Sequence, residues 1–256
     1  MIRPNPHTEP VVRERFDAIA ASYDDTIGKR RDVYNQAVDA IVFEDVSCLP
    51  APVILDAGCG TATRPASLKR RLPLAHVYGF DASPNMVSIA RDRGLDEVRV
   101  CRIEEADYPD RTFDVVTCLF FVICYITSPA DRHRAVANLH RMLKPGGLLF
   151  IDAINRWHLG EGLAFRRSIL EATWDYTRSL VDPRLNPGDK LYSTVNDGRT
   201  LPGYFHGFSK RSFARLLDGA GFLIERRHII GYNSGLSRPR PVQGQLLYVC
   251  RRAREG

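Results

Sequence analysis

The regular handover from short apolar runs to helical stretches between Pro52 and Asp152 constrains this 256-residue chain more than any other feature. Val53-Ile-Leu-Asp56 reads as a buried strand ending at a glycine turn, and Ala66 to Leu72 as a helix. His76-Val-Tyr-Gly-Phe-Asp81 predicts a second strand and Pro84 to Arg93 a second helix. Val98 to Cys101 and Phe113 to Leu119 follow as strands three and four. Arg132 to Leu143 is an amphipathic helix stopped by Lys144-Pro-Gly-Gly147, and Leu148 to Asp152 is the fifth strand. Strands about a dozen residues apart or more pair in parallel through right-handed crossovers. The expected fold class is therefore α/β, with a doubly wound parallel sheet.

The flanks differ from this middle. Residues 1–45 look helical and amphipathic and are expected to form an N-terminal helical lid, ahead of a ligand-binding core over 46–154. Asn155 to Leu201 is too long for a normal crossover and too aromatic for a linker, so 155–205 reads as an insertion covering the substrate. Ser209 to Ala220 is helical, and Phe222 to Ile230 and Gln245 to Arg251 are strand-like. That strand pair can join antiparallel and finish the sheet at one edge, making 206–256 the C-terminal part of the core.

Composition narrows the class of function. A hydrophobic share of 44% supports a sizeable core and excludes disordered and fibrous chains. The longest nearly uncharged apolar run, Val115 to Ile126, falls short of the ~20 residues of a membrane helix. The opening MIRPNPHTEP has no apolar core of a leader, so the cytoplasm is the expected location, with no membrane partner. A formal net charge of +6 raises the question of nucleic acid. Most basic residues are scattered, however, and the densest groups, such as Lys29-Arg30-Arg31 and Lys69-Arg70-Arg71, are short, which disfavours such a partner. The six cysteines show neither C-x-x-C nor zinc spacing, so reduced thiols are expected and no metal site.

Asp56-Ala-Gly58-Cys59-Gly60-Thr-Ala-Thr63 sits where the first strand meets the first helix, at the carboxyl edge where open sheets bind ligands. Asp81 ends the second strand, from which a carboxylate can accept both hydroxyl protons of a ribose. A dinucleotide site requires a third glycine, and that position is Thr63; no phosphate-binding G-K-[ST] loop follows either. A nucleoside without phosphate fits better.

VILDAGCGTAT, GFDASPNM, RTFDVVTCLF and LKPGGLLFID together resemble the ordered motifs of class I S-adenosylmethionine-dependent methyltransferases, over roughly residues 10 to 250. The resemblance implies a Rossmann-like fold with S-adenosylmethionine as cofactor. It further implies that Gly58, Cys59 and Gly60 pack against the cofactor's methionine part, that Asp56 orients their turn, and that Asp81 holds the ribose. Ala82 and Met86 would flank the adenine, although a core methionine is the plainer reading of Met86. Where the family carries an Asp after strand three, this chain has Arg102, which cannot accept a hydrogen bond. Ile103 and Glu104 are the expected replacements at the adenine. Leu119 would meet the methionine portion through its backbone.

Phe16-Asp-Ala-Ile-Ala-Ala-Ser-Tyr23-Asp24 resembles the start of methyltransferases acting on quinones, fatty precursors and amines. By that resemblance Tyr23 reaches over the cofactor, with a cofactor-binding and a catalytic role, and Arg31 pairs with the cofactor's carboxylate; an exposed helix is the alternative for Arg31. His206, in a stretch similar to the family's H-x-F-S region, is the candidate base and a substrate-lining residue. Tyr204, Trp157 and Trp174 form an aromatic wall for the acceptor or pack the insertion. The expected function is S-adenosylmethionine-dependent transfer of a methyl group to an N or O atom of a small-molecule acceptor, by a monomer or homodimer. An RNA methyltransferase, a nicotinamide-dependent oxidoreductase and a non-catalytic S-adenosylmethionine-binding protein are the alternatives.

Overall fold

A computed structural model of the protein describes residues 9–28, 32–159, 174, 177, 182, 185–196 and 198–254. In chain order it contains α1 (Glu9–Ile19), α2 (Asp32–Val46), β1 (Val53–Ala57), α3 (Thr63–Arg71), β2 (His76–Asp81), α4 (Pro84–Ala90) and β3 (Glu97–Val100). After these come β4 (Phe113–Cys118), α5 (Pro129–Met142), β5 (Leu143–Ala153), β6 (Asp189–Asn196) and β7 (Arg199–His206). The chain then forms α6 (Lys210–Asp218), β8 (Phe222–Ile230) and β9 (Gln245–Arg252).

Seven strands form one sheet in the order β3-β2-β1-β4-β5-β9-β8. β1 is parallel to both neighbours, with Leu55 opposite Tyr78 on one side and Val116 on the other. β9 slots antiparallel between β5 and the edge strand β8. Helices cover both faces of such a sheet, which is why its central strands are continuously buried rather than alternating. The chain thus has the doubly wound α/β fold, with an antiparallel edge.

Local chemistry sets the helix ends. Ser83 and Ser128 cap α4 and α5 by accepting the Met86 and Asp131 N–H groups, each followed by proline at the first helical position. Ser209 and Ser212 bond reciprocally at the start of α6. At the far end of α5, the Arg252 guanidinium donates to the carbonyls of His140, Arg141 and Leu143 at 3.0, 2.9 and 2.7 Å. Arg252, one of the basic residues behind the net charge of +6, is therefore part of the fold.

Three elements differ from the sequence reading. α1 and the turns after it line the cavity at the carboxyl edge of the sheet, whereas most of α2 is core. Tyr34, Val38, Val42 and Val46 of α2 recur every four residues and are buried in the main core. β5 begins at Leu143, so Lys144-Pro-Gly-Gly147 forms an irregularity in the strand, with Gly146 at φ +81°, rather than a turn before it. The segment read as an insertion ends in an antiparallel hairpin, β6–β7, outside the main sheet. Among the described residues no helix is long and apolar enough to cross a membrane.

Candidate functional site

The order of the sheet reverses between β1 and β4, and the loops leaving β1, β2 and β4 open a crevice there. Gly58 takes φ +82° and Gly60 φ +54°, a region costly for any side chain. The N–H groups of Gly58 and Cys59 both donate to the Phe80 carbonyl, at 2.8 and 2.9 Å. Gly60 donates to Asp81 Oδ2 at 2.9 Å, and the Ser83 N–H donates to Oδ1 at 2.9 Å. One carboxylate thereby ties the β1 and β2 turns together. Carboxylate oxygens accept more than one hydrogen bond each, so Asp81 retains capacity toward the crevice. Burial raises its pKa, opposed by the N–H groups of Ser83 and Gly60.

The crevice is open to solvent, with about 800 Å³ of empty space including its mouth. Gly58, Gly60, Asp81, Ala82, Ser83 and Met86 line one part, joined by Arg102, Ile103 and Glu104 after β3. Val12, Arg13, Phe16 and Tyr23 from the N-terminal segment, with Phe120, Val122, Tyr125 and Ile126 from the loop after β4, line the rest. Two carboxylates fasten the N-terminal segment down. Asp17 accepts the Ser83 hydroxyl at 2.5 Å and the Asn85 N–H at 3.2 Å. Asp24 accepts the hydroxyls of Thr61 at 2.7 Å and Thr63 at 3.2 Å, and pairs with Arg93 at 2.7 Å.

Of the residues singled out from the sequence, Tyr23, Gly58, Gly60, Asp81, Ala82, Met86, Ile103 and Glu104 meet at this cavity. Arg102 stands beside them, and its guanidinium pairs with the buried Glu104 carboxylate. The Cys59 side chain turns inward, filling the space a side chain on Gly79 would need, and burial raises its thiol pKa well above the usual value. Leu119 is buried and its side chain does not reach the cavity wall. Arg31 lies outside the described residues.

The expectations for His206 and Tyr204 need correcting. Neither lines the cavity: both are buried, and both donors converge on Asp189 Oδ1 at 2.7 Å. Burial opposes ionisation of Asp189, but hydrogen bonds from His206, Asn186 and Tyr204 outweigh it and lower its pKa. Burial lowers that of His206. Arg132, also buried, donates to the carbonyls of Ile126 and Thr127 at 2.7 and 3.2 Å and to the Tyr204 hydroxyl at 3.3 Å. This polar cluster holds the loop after β4 in place from behind. Trp157 and Trp174 are exposed away from the cavity, at 40% and 69%.

Two buried aspartates support the floor. Asp56 accepts the Thr117 hydroxyl at 2.6 Å, and burial raises its pKa to about 6 against the pull of Arg64. Asp152, at the end of β5, accepts the Phe121 N–H at 2.6 Å and the Tyr34 hydroxyl at 3.0 Å, and burial raises it likewise to about 6. Phe120 and Phe121 are both left-handed, at φ +73° and +66°, in the loop that carries Phe120 to the cavity. The motif RTFDVVTCLF reaches Phe120, but only Leu119 is singled out from it, and nothing in the sequence marks the left-handed turn. Asp152 carries no local signal either, because its partners Phe121 and Tyr34 lie 31 and 118 residues away along the chain.

Comparison with known proteins places this geometry. Residues 55–151 match the family model described as a methyltransferase domain. A demethylmenaquinone methyltransferase of Deinococcus radiodurans is 33% identical over 150 residues, covering 55% of this chain and 58% of the relative. A ubiquinone biosynthesis O-methyltransferase of Hahella chejuensis is 36% identical over 119 residues, covering 44% and 48%. The chain spans about half the length of these curated relatives. Among solved structures, the Burkholderia thailandensis 1,6-didemethyltoxoflavin-N1-methyltransferase, crystallised with 1,6-didemethyltoxoflavin and S-adenosylhomocysteine, superposes with a TM-score of 0.60 at 18% identity. That likeness covers 93% of this chain and 87% of that one. Residues 55–151 thus match a methyltransferase-domain model, and the chain shares the Rossmann-like fold of solved methyltransferases.

Proposed function

We propose that this protein transfers a methyl group from S-adenosylmethionine to a nitrogen or oxygen atom of a small-molecule acceptor. One observation carries the choice of cofactor. The N–H groups of Gly58, Cys59, Gly60 and Ala62 are all committed, to Phe80, Asp81 and Cys59 acceptors within the two turns. A pyrophosphate needs such N–H groups turned toward it. A nucleoside needs instead a carboxylate for its hydroxyls and an apolar slot for its base, and Asp81, Met86 and Ala82 supply these.

In this reading Asp81 accepts the ribose hydroxyls, and Glu104, held by Arg102 beside Ile103, accepts from the adenine amino group. Ala82 and Met86 flank the base, while Gly58 and Gly60 leave room for the methionine part, with Tyr23 above and the Leu119 backbone below. S-adenosylmethionine, when bound, would supply a methyl carbon on a sulfonium, whose sulfur keeps the bonding pair as the acceptor's lone pair forms the new bond. The protein's share is to hold the acceptor in line and exclude water. The wall offers Phe16, Tyr23, Phe120 and Tyr125, which suits a ring-bearing acceptor, as the quinone relatives' names also suggest.

Isothermal titration tests the cofactor half. S-adenosylhomocysteine is expected to bind the full chain in the micromolar range or tighter, roughly −8 kcal/mol, while NADH gives no heat. The reverse order of affinity would overturn the reading.

A further inference from the structure

We propose that the part of the cavity between α1 and the loop after β4 is the acceptor subsite, and that it selects a planar ring carrying an anionic group, with Arg13 reading the charge. The inference rests on the preceding assignment of the Asp81 side to the nucleoside.

Aromatic rings form the body of this part. Phe16 meets Tyr125 edge-on with centroids 5.0 Å apart, and Tyr23 meets Phe120 at 6.4 Å. Such rings prefer another ring, edge-on or offset, over an aliphatic chain. The charges on the cavity wall are unevenly engaged. Asp81 is bound by the Gly60 and Ser83 N–H groups, and Glu104 is paired with Arg102, both on the nucleoside side.

Arg13 lies one helical turn before Phe16, on the same face of α1. It lines the cavity and has no hydrogen-bond or ion-pair partner among the described residues. Its neighbour Arg15 shows the contrast: buried, it donates to the Thr194 hydroxyl at 2.7 Å and the Leu201 carbonyl at 3.3 Å, and lies over the Tyr192 ring. Arg15 fastens α1 to the β6–β7 hairpin, whereas Arg13, uncommitted among the described residues, presents its guanidinium beside an aromatic wall. A guanidinium so placed favours a carboxylate or similar planar anion through paired N–H donors.

The test uses the full chain saturated with S-adenosylhomocysteine and two isosteric probes, 2-naphthoate and 2-naphthamide, titrated by fluorescence. The naphthoate is expected to bind about tenfold more tightly, with a preference that shrinks as salt rises. Arg13→Gln is expected to bring the two probes within about twofold of each other, and Arg13→Lys to restore part of the preference. Equal affinities in the unsubstituted protein, a preference that survives Arg13→Gln, or no binding of either probe would each overturn the proposal. Failure of S-adenosylhomocysteine to bind would instead overturn the cofactor assignment, so the two failures are distinct.

Discussion

The Asp152 carboxylate accepts the Phe121 N–H at 2.6 Å, holding from beneath a turn in which two consecutive phenylalanines are left-handed. Each such residue costs about 1–3 kcal/mol unless its surroundings impose it, so the bond keeps a strained loop in one conformation. Asp152→Ala is expected to lower stability in urea unfolding by about 2–4 kcal/mol, because a buried N–H and the Tyr34 hydroxyl both lose their acceptor. Asp152→Asn keeps one acceptor and is expected to lose about 1 kcal/mol. Equal losses in the two variants would show that the bond to Phe121 is not what matters.

Gly58 and Gly60 predict opposite phenotypes. A side chain on Gly58 would stand 2.6 Å from Val122, with φ at +82°, so Gly58→Ala is expected to destabilise the fold by about 2 kcal/mol or more. A Cβ on Gly60 meets nothing within 4 Å. Gly60→Ala is expected to cost about 1 kcal/mol for its positive φ, while weakening S-adenosylhomocysteine about tenfold or more, because the methyl enters the cavity. Calorimetry and melting curves on the same two samples separate these effects.

Asp24 fastens the segment after α1 to the glycine turn through Thr61 and Thr63. Removing this latch with Asp24→Ala is expected to speed S-adenosylhomocysteine release roughly 3–10-fold in stopped-flow measurements, because the cover opens more often. Stability should change by less than ~1 kcal/mol, since the carboxylate is partly exposed. An unchanged release rate would remove Asp24 from the account of ligand retention.

Asp56 gives a pH signature. Its pKa is about 6 in the folded chain against an ordinary value of 3.8, so the folded state holds a proton that the unfolded state has lost across that interval. Its contribution to stability therefore falls as pH rises from about 4 to 6. Asp56→Asn stays neutral throughout and still offers Thr117 an acceptor. The variant is expected to gain on the parent protein by about 1–3 kcal/mol as pH rises from 4 to 7, measured as the difference of two unfolding curves. A difference independent of pH would contradict the raised pKa.

The sheet was legible because β1, β2 and β4 are short apolar runs, each handed to a turn by glycine or a polar residue. Asp81 and the glycine turn were legible because their partners lie at fixed offsets set by strand length. His206 was misplaced for the opposite reason. Its partner Asp189 lies across the β6–β7 hairpin, and Arg132, which joins the same cluster, is 72 residues from Tyr204, a distance no local pattern encodes. The hairpin itself had a signal: Asn196-Asp197-Gly198 between strand-forming runs is a turn sequence, and Gly198 does take φ +74°. Phe120 and Phe121 defy reading from sequence, since phenylalanine is among the poorer choices for a left-handed turn and only Asp152 and the packing impose it.

The placement of β9 bears on how the chain is made. Gln245–Arg252 fills the gap between β5 and β8 and supplies Arg252 to the end of α5, so during synthesis the β5 flank stays unpaired until these residues have been made. Chains truncated before Gln245 should recruit chaperones or self-associate through the exposed β5 flank.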